Sequence, residues 1–190
     1  MKTSLQESVC INYSSKAISR VKRKLQYIAV LLLLILAPVA NLLAQVTETF
    51  NTSGSFTVPA GVTSITVGCW GGGGGGGTRS TSGVAGGGGG GAYSSSVIAV
   101  TAGDVFNYVV GNGGTSGSPA IAGGDTWFGT ATTIMAKGGN SVTINSQTAG
   151  TGGAAGPGFG TIKNSGGNGR NGNTSGTDYG GGGGSSAGTA

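Results

Sequence analysis

Between Val46 and Ile144 the apolar positions recur in short stretches with a period of two. In "VTETF" Val46, Glu48 and Phe50 alternate with threonines. "GSFTVPAG" sets Phe56 and Val58 on one face, and Pro59 with Gly61 supplies turn chemistry. "VTSITVGCW" places Ile65, Val67 and Cys69 on one face, with Thr66, Gly68 and Trp70 on the other. Next come "AYSSSVIAVT", a turn at 102–104, and "VFNYVVG" running into Asn112-Gly113, a hairpin signal. "DTWFG", "TTIMA" and "SVTIN" are shorter candidates. Short strands rich in Val, Thr, Phe and Tyr predict an all-β fold, a jelly-roll-like β-sandwich or a barrel, over 45–145. After Ile144 only Phe159, Ile162 and Tyr179 are large and apolar, so 146–190 reads as a glycine-rich, low-complexity tail continuing the same domain.

Three glycine runs interrupt this pattern, at 71–77, 86–91 and 180–184. The first two are joined by "TRSTSGVA", like the legs of a hairpin. As left-handed threefold helices rising ~3.1 Å per residue they would extend roughly 20 Å, about the length of a sandwich strand. Ordering one glycine costs on the order of 1–2 kcal/mol, whereas a net hydrogen bond returns about 0.5–1.5 kcal/mol. One run beside one neighbour therefore stays disordered. Several runs together can bond sideways in more than one direction, and only glycine lets backbones approach that closely. The expectation is a polyglycine-II-like cluster seated on the β body; the competing expectation is a slack linker. Trp70, at the mouth of the first run, would fill the layer beneath such a cluster or be an ordinary half-buried strand residue.

The leader changes the charge picture. Lys16, Arg20, Lys22, Arg23 and Lys24 precede an unbroken apolar stretch from Ile28 to Ala37. Its length fits a signal-peptide core of about 7–15 residues and falls short of the ~20 needed to span a bilayer. Cleavage is expected between Ala44 and Gln45, with an uncleaved anchor over 27–44 as the alternative. The net charge of the whole chain, +5, resides in the leader. Past it, Arg79, Lys137, Lys163 and Arg170 balance Glu48, Asp104, Asp125 and Asp178. The scattered cations give no basic patch for nucleic acid. All 44 glycines lie beyond the leader, a composition otherwise typical of disorder.

Candidate chemistry is sparse. With no histidine and a single cysteine past the leader, His-based triads, disulfides and Cys/His metal clusters are excluded there. Cys69 reads as a small buried apolar residue. Asp104 and Asp125 are the one carboxylate pair that could meet across a cleft, although Asp104 after Gly103 is foremost a turn residue. "GNGRNG" at 167–172 matches a dinucleotide fingerprint but lacks the buried strand that gives the pattern meaning. Trp127, Phe128, Tyr93 and Tyr108 could stack on sugars if exposed, with burial as the default. Asn51 and Asn173 begin glycosylation sequons.

"TFNTSGSFTVPAGVTSITVGCWGGGGGGG", then "GGGGGGAYSSSVIAVTAGDVFNYVVGNGG", "GGDTWFG" and "AKGGN" resemble the glycine-rich domain of exported bacterial proteins, especially of Bacteroidetes, and of some phage tail proteins. The resemblance covers about residues 49–140. It implies a β-sandwich from which glycine-rich loops project, and surface display or adhesion in place of catalysis. Two departures stand out: Cys69 replaces a plain aliphatic or charged residue, and the ending "GGGGSSAGTA" fits a truncated product or a fragment. The expectation is then a secreted or outer-surface module with no catalytic, cofactor or metal site. Its partner would be a cell-surface or extracellular glycan or protein, with Arg79 as the one named contact. A disordered glycine-rich spacer or matrix component is the alternative.

Overall fold

A computed structural model describes residues 15–36, 45–174 and 180–189. Residues 1–48 and 49–190 form separate units. In the first, α1 (Ser15–Leu36) carries the basic stretch and most of the apolar run. Among the described residues no helix is long and apolar enough to cross a membrane. Ala44 lies outside the described residues, and Gln45 is exposed, without regular structure.

The second unit is built from β1 (Gly54–Thr57), β2 (Ser64–Trp70), β3 (Tyr93–Ala99), β4 (Val105–Val109), β5 (Thr126–Phe128), β6 (Ile134–Ala136) and β7 (Ile162–Asn164). They form two antiparallel sheets, ordered β1-β4-β5-β6 and β2-β3-β7. The inward positions of β2, Ile65, Val67 and Cys69, meet Phe56, Phe106, Tyr108, Phe128 and Ile134 in one core. Phe106 stacks on Phe128 with centroids 5.1 Å apart, and Ile134 is fully enclosed. The period-two pattern thus assigns both faces of β2 correctly. The turn at 102–104 is also as expected: Gly103 adopts φ +90°, and the Asp104 carboxylate accepts the Thr101 N–H at 2.8 Å.

Three elements differ from expectation. "VTETF" is not a strand, because β1 pairs with β4 only from Gly54 onward, and β4 ends at Val109. Phe50 still folds its ring onto Tyr108, 4.6 Å between centroids. "SVTIN" is not a strand either. The Val142 and Asn145 N–H groups continue a three-residue bonding rhythm onto Gly75 and Thr78, and Asn145 turns the chain at φ +62°. In the region read as a tail, β7 completes the second sheet against β3, and Ser96 Oγ bonds Thr161 Oγ1 at 2.6 Å beside it.

Candidate functional site: the glycine bundle and its tip

Beyond the sheets the chain runs out and back in extended legs: 71–77, 86–92, 110–115, 121–125, 137–142, 148–154, 165–172 and 180–187. Their hydrogen bonds repeat every third residue, as a threefold helix requires. Gly71, Gly74 and Gly77 donate to Ala92, Gly89 and Gly86 at 2.7–2.9 Å. Gly72, Gly75 and Thr78 accept from Gly139, Val142 and Asn145.

The 86–92 leg lies at the centre and is buried throughout. Its N–H groups at Gly89 and Ala92 reach Asn140 and Lys137, and those at Gly87 and Gly90 reach Arg170 and Gly167. Its carbonyls at Ala85, Gly88 and Gly91 accept from Gly181, Gly184 and Ala187, while those at Gly87 and Gly90 accept from Gly150 and Gly153. A Cβ added at Gly87, Gly88, Gly89, Gly90 or Gly91 would lie within 3.0 Å of a neighbouring leg's carbonyl oxygen. Glycine is required there because no side chain fits between backbones.

Polar side chains finish the lattice where a neighbouring leg is missing. Ser165 Oγ, Asn168 Oδ1 and Asn171 Oδ1 accept the N–H groups of Ala155, Gly152 and Ala149 at 3.0, 2.9 and 2.7 Å. Gly75 N–H donates to Ser141 Oγ at 2.6 Å. At the foot of the bundle Lys137 Nζ pairs with Asp125, whose other oxygen accepts the Gly138 N–H at 3.0 Å. That pair ties the legs entering β5 and leaving β6.

At the far end the turns gather around the start of the central leg, since Gly86 N–H reaches Ser146 O and Gly87 N–H reaches Arg170 O. Arg79 sits here, half-buried: Nη1 donates to Asn145 O at 2.6 Å and Nη2 to Ser82 O at 3.4 Å. Asn145 Oδ1 accepts the Ser80 N–H at 3.0 Å. Arg79 and Asn145 therefore brace two turns against each other. Arg170 is exposed beside a groove of about 300 Å³ bordered by Asn171, Asn173, Gly180 and Gly182.

The remaining candidates fall elsewhere. Asp104 precedes β4, whereas Asp125 lies beyond its opposite end, so the strand separates the two carboxylates by roughly 20 Å at ~3.3 Å per residue. They do not share a cleft. Within "GNGRNG" the Gly167, Gly169, Arg170 and Gly172 N–H groups all bond neighbouring legs, leaving no cradle for a phosphate. Tyr93 and Phe128 are buried, while Trp127 and Tyr108 are half-buried. Trp70 lies on the outer face of β2, 47% exposed, with its ring 4.8 Å from that of Tyr93; it does not fill a layer under the bundle. Cys69 is a core residue, and burial pushes its thiol up to about 11, so it stays protonated at neutral pH. Asn51 is exposed; Asn173 is exposed too, but the serine of its sequon lies outside the described residues. Among the described residues no three metal-ligating side chains cluster.

The sequence pattern missed Asn145, Ser165, Asn168 and Asn171 as lattice-completing residues. The signal for Ser165, Asn168 and Asn171 is their three-residue recurrence in "SGGNGRN", a period that is neither the two of a strand nor the 3.6 of a helix. No curated protein and no solved structure matches the chain. A family model described as a glycine-rich domain matches residues 47–190, spanning both the sheets and all the legs. With that match running over most of its length, the chain belongs to the glycine-rich domain family.

Proposed function

We propose that the chain is an exported, non-catalytic surface module. The two sheets serve as a base, the glycine legs as a stalk, and the turns at the far end as the contact surface for an extracellular glycan or protein. The observation that carries this reading is the lateral bonding of the central leg, which holds the turns at 78–85, 143–147 and 170–173 together at one end. Loops held on a rigid scaffold are where binding residues concentrate. Among the described residues there, two cations, Arg79 and Arg170, stand among amides and hydroxyls, a composition suited to hydrogen-bonding a polar ligand. The basic stretch and apolar core of α1 support export. The disordered form of the spacer reading does not describe runs whose amides are bonded to one another.

The test is attachment of beads carrying the full chain to glycan-coated and protein-coated surfaces. Because Arg79 also braces the turns, Arg170→Ala is compared with Arg79→Ala. The reading expects weaker attachment for both, with the melting temperature kept in Arg170→Ala. Attachment equal to wild type in both variants, or none by the wild type, overturns it.

A further inference from the structure

The sequence holds three Asn-Gly pairs, Asn112-Gly113, Asn168-Gly169 and Asn171-Gly172. In such a pair the asparagine side chain is open to attack by the next backbone nitrogen, because glycine has no Cβ to hinder the approach. The fold treats the three differently. Asn168 Oδ1 accepts the Gly152 N–H at 2.9 Å, and Gly169 N–H donates to Gly150 O at 2.9 Å. Asn171 Oδ1 accepts the Ala149 N–H at 2.7 Å, and Gly172 N–H donates to Gln147 O at 2.9 Å. In both pairs the side-chain amide and the nitrogen that would attack it are tied down.

Asn112-Gly113 is held differently. Its sequence signals a hairpin turn, but it lies within the extended 110–115 leg, and neither residue adopts a positive φ. Both residues are exposed. Among the described residues neither the Asn112 side-chain amide nor the Gly113 N–H has a hydrogen-bond partner. The peptide between them is held at one point, where Asn112 O accepts the Gly124 N–H at 2.8 Å. Turning that peptide to bring Gly113 N onto Asn112 Cγ directly releases one hydrogen bond, whereas the same motion at 168 or 171 releases two.

We propose that Asn112 is a site of spontaneous deamidation, and that the bundle shields the other two pairs. Gly113 N loses its proton to solvent and bonds Asn112 Cγ. The Cγ–Nδ2 bond breaks, and the nitrogen takes up a proton and leaves as ammonia, giving a five-membered succinimide. Water then opens the ring. Breaking the new bond from Gly113 N to Cγ leaves aspartate at 112. Breaking the original bond from Gly113 N to the Asn112 carbonyl carbon leaves isoaspartate, with Cβ and Cγ in the main chain. Either product puts a negative charge on a leg that has no charged residue. Isoaspartate also lengthens the main chain, which takes Gly114 N–H, donating to Gly73 O at 2.7 Å, out of its three-residue step. The inference is independent of the proposed contact surface on the turns at the far end.

Incubation of the full chain at mildly alkaline pH, followed by trypsin digestion and peptide mass mapping, tests it. Cleavage after Arg79, Lys137, Lys163 and Arg170 puts the three pairs in separate peptides, 80–137, 164–170 and 171–190. In the folded chain Asn112 is expected to convert at least about fivefold faster than Asn168 or Asn171, the factor that one additional hydrogen bond implies. In chain unfolded with guanidinium the three are expected to convert at comparable rates. Gly113→Ala is expected to slow conversion at 112 and keep the wild-type melting curve, because the added Cβ comes no nearer than 4.0 Å to another group. Conversion at 112 no faster than at 168 or 171 in the folded chain overturns the proposal. So does a preference for 112 that persists after unfolding, or a rate at 112 unaltered by Gly113→Ala.

Discussion

Gly76 and Gly88 are chemically identical, yet their surroundings are opposite. A Cβ at Gly88 would fall on the backbone of Gly74 and Gly75, whereas one at Gly76 meets nothing closer than 3.8 Å. Gly88→Ala must therefore separate two legs that are bonded on several sides, an overpacking cost of about 1–3 kcal/mol or more. Gly76→Ala keeps every bond and relieves the unfolded chain of some entropy, giving a change near zero or a gain of about 0.5 kcal/mol. Chemical denaturation of the two variants should show a large fall in midpoint for Gly88→Ala and essentially none for Gly76→Ala. Equal effects would mean that close approach is not what glycine provides. The glycine runs announced backbone contact in the sequence, but which glycines touch was not legible there. A run of identical residues carries no phase; the phase comes from neighbours far away in the chain.

At the scale of elements, the strands and the legs obey two different periods. Side chains set the strands: Ile65, Val67 and Cys69 point inward because burying them stabilises the fold by about 1.5–3 kcal/mol for a large apolar residue. Backbone groups set the legs, which bond at every third residue to more than one neighbour. The 86–92 leg, enclosed by bonded legs, should be the slowest-exchanging stretch outside the sheets, while the exposed turn at 81–83 should exchange near the solvent rate. Amide hydrogen exchange reads this directly, and solvent-rate exchange across 86–92 would return the runs to tethers. Alternation made β1 to β4 readable, and adjacent large apolar residues, Trp127-Phe128 and Ile134-Met135, marked the three-residue β5 and β6. β7 escaped notice because "TIKN" has three paired residues with a single large apolar one among glycines, and is specified by its place beside β3.

For the molecule as a whole, order in the bundle is collective. Residues 146–190 supply β7 and the legs at 148–154, 165–172 and 180–187, which take up the Gly87 and Gly90 N–H groups and the Ala85, Gly88 and Gly91 carbonyls. A chain ended at Asn145 would hand those groups to water, losing about 0.5–1.5 kcal/mol of net hydrogen bonding at each, together a large share of the stability of a domain of this size. Limited proteolysis should therefore cut the shortened chain within 71–92 under conditions that leave the full chain intact. Survival of that stretch would show that the first legs stand alone. The sequence by itself determined where the net charge lies, within residues 1–44, the neutral balance beyond them, the all-β class and the inward faces of the main strands, because these depend on local pattern and on side chains that seek burial. Only the tertiary structure decided the phase of each glycine leg, the bracing of Arg79 against Asn145 and the separation of Asp104 from Asp125. Those features arise from backbone groups and turns brought together over long sequence distances, where no side-chain pattern records the pairing.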